Sequence, residues 1–504
     1  MKIFSVEQIR RLDSYTIEHE PIPSIELMER AARTFVRWFA KKFPVSHFNK
    51  IVVVCGPGNN GGDGLAIARM LSREFYAVQA YLLRIGKELS DDCHANLKTL
   101  KKYRTCPLEE IGKDDPLPDI PPGCVLIDAI FGSGLSRPVE GWTAKLIAHL
   151  NSLSVTRVSV DTPSGMFADK PTVGISIQSD FTFTFELPKL AFLFPENSER
   201  VGEWTAESIG LSAEFIRQEP VNQHFVNAAV VKPLLKKRRK FDHKGTFGHA
   251  LLAVGSLGKM GAAVLAARAC LRSGAGLATV HVPRCGCEIL QTAIPEAMVS
   301  LDENEAVVSA FPEDFSTYKA IGAGCGWGTN QLTVKALEHL LETAEAPLVL
   351  DADALNILAA NPDFFKKLPA KTILTPHPKE FERLFGAAEN SFERNQLQQQ
   401  KAQELDIFIV LKGAYTCTAC PDESCFFNCT GNPGMGTGGS GDVLTGILTG
   451  LLAQGYSQKE ACLLGVYLHG LAGDLAAAQF QQEAMIAGDI IEQLGKAFQK
   501  LREY

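Results

Sequence analysis

Hydrophobic and polar residues follow two alternating patterns through the first half of the chain. Apolar side chains recur at helical spacing in residues 5–13 and 25–39, which predicts two amphipathic helices. Ser5 and Ser24 are their predicted N-caps, and Gln8 stands in the capping-box position for the first helix. Three short runs rich in valine and isoleucine predict buried strands: 51–54, 125–128 and 158–161. Such strands, separated by helical patterns, predict a parallel, doubly wound α/β sheet.

A polar segment at 212–220 and a basic run at 236–240 separate this region from a second one of similar texture. Further apolar runs bounded by turn residues predict strands in the second region: 244–255, 320–324, 348–351, 372–375 and 407–411. We therefore predict a first α/β domain at 1–215, a linker at 216–235 and a second α/β domain at 236–504.

The composition is that of an ordinary globular protein, with 46% hydrophobic and 21% charged side chains among 504 residues. The net charge of −7 argues against a main role in binding nucleic acid, which needs a basic surface, so the run at 236–240 is interpreted as a solvated interdomain segment. The N-terminus is charged from residue 2 and lacks a signal-peptide core, while Lys259, Arg268 and Arg272 interrupt the most apolar stretch. We expect a cytoplasmic homo-oligomer without nucleic-acid or membrane partners.

Thirteen cysteines, an odd number scattered over a long chain, suit a reducing compartment better than a disulfide framework. Four of them cluster: Cys417, Cys420, Cys425 and Cys429. A zinc site is one interpretation, but only one pair has the C-x-x-C spacing that zinc sites use repeatedly. The cluster therefore favours a β-hairpin with small apolar side chains.

The chemistry of the first half centres on a glycine-rich segment at 56–64, between a predicted strand and a predicted helix. This arrangement aims backbone N–H groups and a helix N-terminus at an anion, although it also occurs in simple tight connections. Asp128 and Asp161 end two further predicted strands, where ligands of doubly wound sheets bind. Helix caps or turns are the alternative explanation for both aspartates.

Segments 27–31, 59–64, 128–134 and 161–165 together resemble the N-terminal epimerase domain of the NAD(P)H-hydrate repair enzymes, over about residues 1–215. The resemblance implies a Rossmann-like fold and interconversion of the R and S epimers of hydrated NADH and NADPH. It implies a potassium ion held by Asn60, Asp128 and Ser164, acid–base chemistry at Asp161, and Lys189 as a second catalytic candidate. It also implies substrate contacts from Asp161 and from two loops: Asn59, Asn60, Gly61, Gly62, Asp63, Gly132, Ser133, Gly134, Leu135, Ser136, Arg137 and Pro138.

In the second half, a run of glycines at 431–441 precedes Asp442 and an apolar helical segment. Glycines that open a helix can bind a transferring phosphoryl group, and an aspartate there is placed to take a proton from a hydroxyl. A flexible glycine linker is the alternative. The pattern resembles the ribokinase-like superfamily, in which this aspartate is the general base.

Seven segments in order resemble the dehydratase domain of the same repair enzymes: 244–249, 258–263, 272–277, 351–356, 375–381, 411–416 and 432–442. The resemblance, over about residues 230–500, implies ADP-dependent phosphorylation of the ring hydroxyl, loss of phosphate and a requirement for magnesium. Asp442 would be the base, and Ala262, Gly324 and His377 would contact the hydrate, although His377 could be structural. The implied nucleotide contacts are Lys412, Gly413, Ala414, Tyr415, Thr416 and Gly441.

Two departures from the family pattern bear on these roles, because Ala323 stands where proline is usual and Lys379 where glycine is common. The first leaves the hydrate contact open between Gly324 and Gly326. Asn356 and Glu380 are candidate neighbours of magnesium or phosphate. The rival interpretations are a small-alcohol kinase fused to a non-catalytic ligand-binding domain, and a first half that serves only as a scaffold.

Overall fold

The computed structural model describes residues 1–20, 22–48, 50–86, 88–103, 106–311 and 314–503. They fold into two compact units: the first comprises residues 2–221, and the second begins at Asn222 and includes Met1. The division therefore falls inside the predicted linker at 216–235. Within that segment, residues 223–226 form a strand of the second unit's sheet.

The first unit is a doubly wound α/β domain, as the sequence predicts. Its helices are α1 Val6–His19, α2 Ser24–Lys42, α3 Asn59–Arg73, α4 Asp91–Tyr103, α5 Gly141–Ser152, α6 Ser198–Val201 and α7 Ala213–Gln218. Its strands are β1 Lys50–Cys55, β2 Ala77–Arg84, β3 Leu108–Gly112, β4 Val125–Ala129, β5 Thr156–Val160, β6 Phe181–Phe185 and β7 Glu203–Glu207. All pairs are parallel, in the order β3-β2-β1-β4-β5-β6-β7. This order reverses between β1 and β4, where a ligand crevice is expected.

The predicted helix starts of the first unit are right in one case and wrong in the other. Ser5 caps α1 in a complete capping box with Gln8. Ser24 is not an N-cap, because α2 begins at Ser24 itself and Pro23 holds the cap position. The Ser24 hydroxyl instead donates a hydrogen bond to Asp92 Oδ2 at 2.6 Å. Pro23 has the extended backbone that precedes a helix, with φ −61° and ψ 144°, and makes no side-chain cap hydrogen bond.

The second unit is built around a larger mixed sheet. Its helices are α8 Ala228–Val231, α9 Met260–Arg272, α10 Cys287–Ala293, α11 Gln331–Thr343, α12 Asp353–Ala360, α13 Pro378–Phe385, α14 Ser391–Glu404, α15 Ser440–Ala453, α16 Gln458–Phe480 and α17 Ala487–Glu503. Its strands are β8 Gln223–Val226, β9 His249–Ala253, β10 Leu277–Val282, β11 Met298–Leu301, β12 Ala320–Ala323, β13 Leu348–Leu350, β14 Ile373–Leu374, β15 Phe408–Leu411, β16 Cys417–Ala419 and β17 Cys425–Asn428.

The strand order of this sheet is β11-β10-β9-β12-β13-β14-β15-β16-β17-β8. Only the pairs made by β16 are antiparallel among the described strands. The carboxyl ends of β12, β13, β14 and β15 therefore lie along one edge. All five strands predicted in this half are present.

Helices α9, α15 and α16 bury the apolar core of the second unit. A side chain at Gly446 would meet the Ala266 carbonyl oxygen at 2.2 Å, so glycine allows α15 to approach α9 closely. Within the described residues, α16 is the helix long and apolar enough to cross a membrane, and 78% of its apolar window is buried in the unit. Its apolar character is accounted for by this core position.

Two unusual segments of the sequence have structural roles in the second unit. In the basic run, Lys236 Nζ donates to the Gly455 carbonyl and Arg238 Nη2 to the Gly274 carbonyl at 2.7 Å, so these cations are anchored at helix ends. The cysteine cluster is carried by the antiparallel pair β16 and β17, which confirms the predicted hairpin. In the described part of the chain, no three metal-ligating His, Cys, Asp or Glu side chains come together.

Candidate active sites

A cavity of about 1140 Å³ opens in the first unit, beside the carboxyl ends of β1, β4 and β5. It lies where the strand order reverses, at the carboxyl ends of the strands at which the sequence predicts ligand binding. The predicted residues that line it are Asn59, Asn60, Asp63, Gly132, Ser133, Gly134, Leu135, Ser136, Arg137, Pro138, Asp161 and Lys189. Gly61 and Gly62 do not line the cavity, because they are buried in the first turn of α3.

Close packing explains the glycines of the turn between β1 and α3. A Cβ at Gly61 would lie 1.7 Å from the Gly56 carbonyl oxygen, and a Cβ at Gly56 would lie 1.9 Å from the Ile130 carbonyl oxygen. Gly58 has no such neighbour. Gly61 therefore allows the N-terminus of α3 to approach the loop after β1, and Gly56 allows that loop to approach the loop after β4.

Asp161 and Lys189 form a buried ion pair in the cavity wall, with Lys189 Nζ 3.1 Å from Asp161 Oδ1. The Ser133 backbone N–H donates to Asp161 Oδ2 at 3.0 Å, and the Thr184 hydroxyl donates to Oδ1 at 3.2 Å. Burial alone would raise the pKa of Asp161, but the Lys189 ammonium and the Ser133 hydrogen bonds outweigh it and hold the pKa below its usual value. Asp161 is therefore ionised at neutral pH and free to accept a proton.

The backbone at Asp161 is also unusual, with φ at +64°. Aspartate tolerates this left-handed conformation better than most residues do. A hydrogen bond of 2.7 Å from the Asp161 N–H to the Phe183 carbonyl holds the conformation in place. The carboxylate is thus directed by both its backbone and its side-chain partners, as expected for a functional residue.

Asp128 and Ser164, two of the three predicted cation ligands, are in direct contact and fully buried. The Ser164 hydroxyl donates to Asp128 Oδ1 at 2.5 Å, and the Ser164 N–H donates to Oδ2 at 2.8 Å. Ser159 and the Ile130 N–H complete the set of described donors, none of which is charged. Burial raises the pKa of Asp128, and these hydrogen bonds oppose the rise. Asn60, the third predicted ligand, has a buried side-chain amide nitrogen without a partner among the described residues.

Asp13, on α1, is a cavity residue for which the sequence analysis assigned no role. Burial raises its pKa to about 6, with a contribution from the Asp161 carboxylate. The pKa of Asp63 is also raised, by burial and then by Asp161 and Asp13. No motif could have revealed Asp13, because only tertiary folding brings α1 to the carboxyl ends of the strands.

In the second unit, a lysine and an aspartate meet at the sheet edge. Asp351 directly follows β13 and is 1% exposed, and Lys412 follows β15. Lys412 Nζ lies 2.9 Å from Asp351 Oδ1, and the Thr445 hydroxyl donates to Oδ2 at 2.9 Å. Burial would raise the pKa of Asp351, but Lys412 outweighs it and lowers the pKa. Asp351 is missing from the predicted site residues, although its place after a strand could have identified it.

Asp442 lies in the first turn of α15. Burial raises its pKa to about 6, and the Asp351 carboxylate adds to the rise, whereas the Cys325 thiol and Lys412 oppose it. A carboxylate with a pKa near neutrality is suited to accept a proton from an alcohol. Gly441, beside it, lies next to the Asp351–Lys412 pair, since a Cβ there would lie 3.4 Å from Asp351 Oδ2 and 3.5 Å from Lys412 Nζ. The helix N-terminus, Lys412 and Asp442 thus have the features of a phosphoryl-transfer site.

Two residues of α16 support the glycine-rich loop. Asp474 accepts hydrogen bonds of 3.0 Å from the Gly431 N–H and from the Asn432 side chain. His469 Nε2 lies 3.3 Å from the Ser440 hydroxyl, and burial lowers the pKa of His469 to about 4, so it is neutral. Sequence reasoning missed both residues, because they lie in an apolar helical segment whose pattern indicates only a core helix.

The remaining predicted residues lie at the same edge of the sheet. Ala262 is in the first turn of α9, Gly324 follows β12, and residues 413–416 connect β15 to β16. Gly324 has a φ of +113°, and a Cβ there would meet the Asp351 carbonyl oxygen at 2.1 Å. Glycine is therefore required for the close approach of the β12 and β13 loops.

His377 has a structural role as the N-cap of α13. Its Nδ1 accepts the Lys379 N–H at 3.1 Å and the Glu380 N–H at 3.3 Å, and Glu380 Oε2 accepts the His377 N–H at 2.8 Å. Burial lowers the pKa of His377, which keeps the imidazole neutral and able to accept. The hydrogen bonds to Nδ1 therefore support the structural alternative. The side chain is 43% exposed, and its contact with the hydrate stays a prediction.

The two sites define the class of protein: an enzyme with a Rossmann-like unit that carries a buried carboxylate–ammonium pair and a ribokinase-like unit equipped for phosphoryl transfer. Family models described as "YjeF-related protein N-terminus" and "NAD(P)H-hydrate dehydratase" match residues 24–191 and 250–496. A bifunctional NAD(P)H-hydrate repair enzyme from Moorella thermoacetica is 36% identical, with 100% of this chain and 98% of the relative covered. Its counterpart from Escherichia coli is 32% identical, with 98% and 93% covered.

Among solved structures, an ADP/ATP-dependent NAD(P)H-hydrate dehydratase from Bacillus subtilis, co-crystallised with ATP and Mg²⁺, is 33% identical. The match has a TM-score of 0.51 and covers 56% of this chain and all of that one. The chain belongs to the family of bifunctional NAD(P)H-hydrate repair enzymes.

Proposed function

We propose that the protein repairs hydrated NADH and NADPH with two activities. Residues 1–215 interconvert the R and S epimers of the hydrate. Residues 236–504 restore NAD(P)H from the S epimer at the expense of ADP, which yields AMP and phosphate. The observation that carries the proposal is the cluster of Asp442, Lys412 and Asp351 at the N-terminus of α15, in a chain that matches bifunctional relatives over its full length.

The dehydration can be written with the residues of this cluster. Asp442 takes the proton of the ring hydroxyl while the oxygen of that hydroxyl attacks the terminal phosphorus of ADP. An O–P bond forms, and the bond between this phosphorus and AMP breaks. Phosphate then leaves with the electrons of the C–O bond, and a neighbouring carbon loses a proton to form the ring double bond. Phosphate is a much better leaving group than hydroxide, which explains the use of a kinase-like site for dehydration.

The nucleotide would be held by residues 412–416 and by the N–H groups beside Gly441, with Lys412 facing the transferred phosphoryl group. Magnesium fits oxygen donors that this chain supplies, because Asn356 Oδ1 is buried without a partner among the described residues and Glu380 is 7% exposed. When bound, magnesium would neutralise phosphate charge. The preference for ADP over ATP rests on the family resemblance alone.

In the first unit, Asn60, Asp128 and Ser164 would hold a potassium ion. Their amide, carboxylate and hydroxyl oxygens are the donors that a hard cation prefers, and the buried Asp128 carboxylate has no cationic donor among the described residues. The ion would offset the negative charge of the dinucleotide. Asp161 lines the cavity together with Asn60 and exchanges protons with the substrate, and Lys189 keeps it ionised.

Assays on the pure R and pure S hydrates test the assignment of one activity to each unit. The unmodified protein is expected to recover NADH from pure R and pure S hydrate with ADP, magnesium and potassium. Asp161→Asn should recover it from S only, and Asp442→Asn from neither, while still converting R to S. Recovery from R hydrate by Asp161→Asn at the rate of the unmodified protein would contradict the assignment of the first unit.

A further inference from the structure

Asp13 interrupts an apolar face of α1 that points into the cavity. Ile9, Asp13 and Ile17 are spaced four residues apart, so they lie along one side of the helix, and all three line the cavity. Asp13 makes no hydrogen bond or ion pair with any residue that the structure describes, and it is half-buried. A carboxyl group in such a place costs free energy unless solvent or a ligand interacts with it. The unpaired side chain therefore indicates a role with the substrate.

The surroundings of Asp13 are dominated by other carboxylates. Every surrounding helix except α2, or the segment adjoining that helix, contributes a charged group to the cavity lining, and so do the segments after β5 and β6: Arg10 on α1, Asp63 on α3, Asp92 on α4, Arg137 and Glu140 before α5, Asp161 after β5, and Glu186 and Lys189 after β6. Burial, Asp161 and Glu186 together raise the pKa of Asp13 to about 6, and Lys189 opposes them. Lys189 and the Ser133 hydrogen bonds lower the pKa of Asp161. The pKa values of two carboxyl groups in one cavity are thus shifted in opposite directions, a pattern typical of an acid and a base.

We propose that Asp13 is the catalytic acid of epimerisation and that it works with Asp161 as the base. This inference rests on the proposed function of the first unit. Asp13 gives its proton to the ring hydroxyl, and the C–O bond breaks with both electrons going to oxygen, which releases water and leaves a planar cationic carbon. A solvent water molecule then adds to the opposite face, and Asp161 takes its proton as the new C–O bond forms. Proton exchange with solvent resets the two carboxyl groups.

The test measures the conversion of pure R hydrate to S hydrate in the full-length protein without ADP, as a function of pH. Asp13→Asn keeps the shape of the side chain but cannot give up a proton, and we expect kcat to fall by at least about 100-fold with KM changed less than about threefold. In the unmodified protein kcat/KM should decline as pH rises through about 6, and Asp13→Asn should lack this decline. Glu18→Gln removes the same charge from an exposed position of α1 outside the cavity and should behave as the unmodified protein.

Other results would overturn the role of Asp13. They are a kcat of Asp13→Asn close to the unmodified value, an effect on KM alone, and a pH profile of the unmodified protein without the alkaline decline. Asp13→Glu restores a titratable group. Recovery of part of the activity, together with the fall of kcat/KM as pH rises, supports the proposal. A folded Asp13→Glu protein without this recovery opposes it. An unmodified protein that dehydrates S hydrate but never interconverts the epimers would refute the proposed epimerase function, which is a distinguishable result.

Discussion

Lys189 is the residue on which the charge of Asp161 depends. Both side chains are buried, so removing the ammonium leaves an unpaired carboxylate in the protein interior. We expect Lys189→Ala to destabilise the first unit by about 3–5 kcal/mol at neutral pH, as measured by denaturant unfolding.

The pH dependence of this loss has a definite sign. Lys189 lowers the pKa of Asp161 in the folded state, so the pair stabilises the fold above the unfolded pKa of the carboxyl group, and this stabilisation disappears as pH falls through the folded value. The difference between Lys189→Ala and the unmodified protein should therefore shrink in acid. A difference that is constant from neutral pH to acid would show that lost packing, not charge, is responsible. Lys170→Ala, at a residue that is not buried, is a control.

The ionisation of Asp442 is expected to set the pH dependence of dehydration in the second unit. A base works only when it is ionised, and its pKa is raised to about 6. The kcat/KM for dehydration of S hydrate should therefore be constant above that value and fall about tenfold per pH unit below it. Asp442→Asn should lower the rate at least about 100-fold, whereas Glu345→Gln, at an exposed position, should not. If the Asp442→Asn protein keeps some activity and that activity still falls in acid as it does in the unmodified protein, the titration belongs to another group.

The candidate site residues that the sequence can predict are those that directly follow a strand or a glycine-rich turn, although Asp351 was not among those predicted. Asp161 and Asp442 are of this kind, because the ends of parallel strands and the N-termini of helices converge at one edge of a sheet. Asp13 and His469 could not be predicted in this way. They lie within helices whose patterns indicate only packing, and only the tertiary fold gives them chemical neighbours.

At the scale of elements, the turn from β1 to α3 depends on two glycines with different constraints. Gly61 has the Gly56 carbonyl where a side chain would be, whereas Gly58 has open space and a negative φ of −89°. We expect Gly61→Ala to destabilise the first unit by about 1–3 kcal/mol or more through overpacking and to impair epimerisation. Gly58→Ala should cost less than about 1 kcal/mol. Thermal unfolding of both variants makes the comparison, and equal losses would contradict the close-packing explanation.

Strands were easier to predict from the sequence than helix starts. The short apolar runs at 51–54, 125–128 and 158–161 became β1, β4 and β5, because a buried parallel strand needs a continuous apolar segment. The start of α2 shows the limit of the approach, since Ser24 fits the cap preference but Pro23 takes the position. His377 was a binding candidate and is also a cap, a role that histidine rarely suggests in a sequence.

At the scale of the whole molecule, the first-unit cavity is lined entirely by residues between Val6 and Leu211, and the phosphoryl-transfer cluster lies within the second unit. The described residues of each candidate site therefore belong to one unit. We expect an equimolar mixture of Asp161→Asn and Asp442→Asn proteins to recover NADH from both epimers, because S hydrate formed by one protein can be used by the other. Recovery from S hydrate only would show that the two sites cooperate within one chain.

Composition and motif order predict two domains, because two separate sets of strand and helix patterns flank one polar segment, and the structure divides into two compact units, the second of which begins at Asn222. The sequence could not predict that strand β8, inside the expected linker, extends the second sheet. Four residues of mixed polarity carry too little pattern to identify an edge strand. The homo-oligomer and the cytoplasmic location stay predictions.

The measurement that tests the central claim most directly combines the purified protein with mixed R and S NADH hydrate, ADP, magnesium and potassium. NADH is followed by the absorbance of the reduced nicotinamide, and AMP and phosphate are quantified. We predict full recovery of NADH from both epimers, with one AMP and one phosphate released for each NADH. No recovery with either ADP or ATP, or a stable phosphorylated product in place of NADH, would contradict the account and favour a small-alcohol kinase.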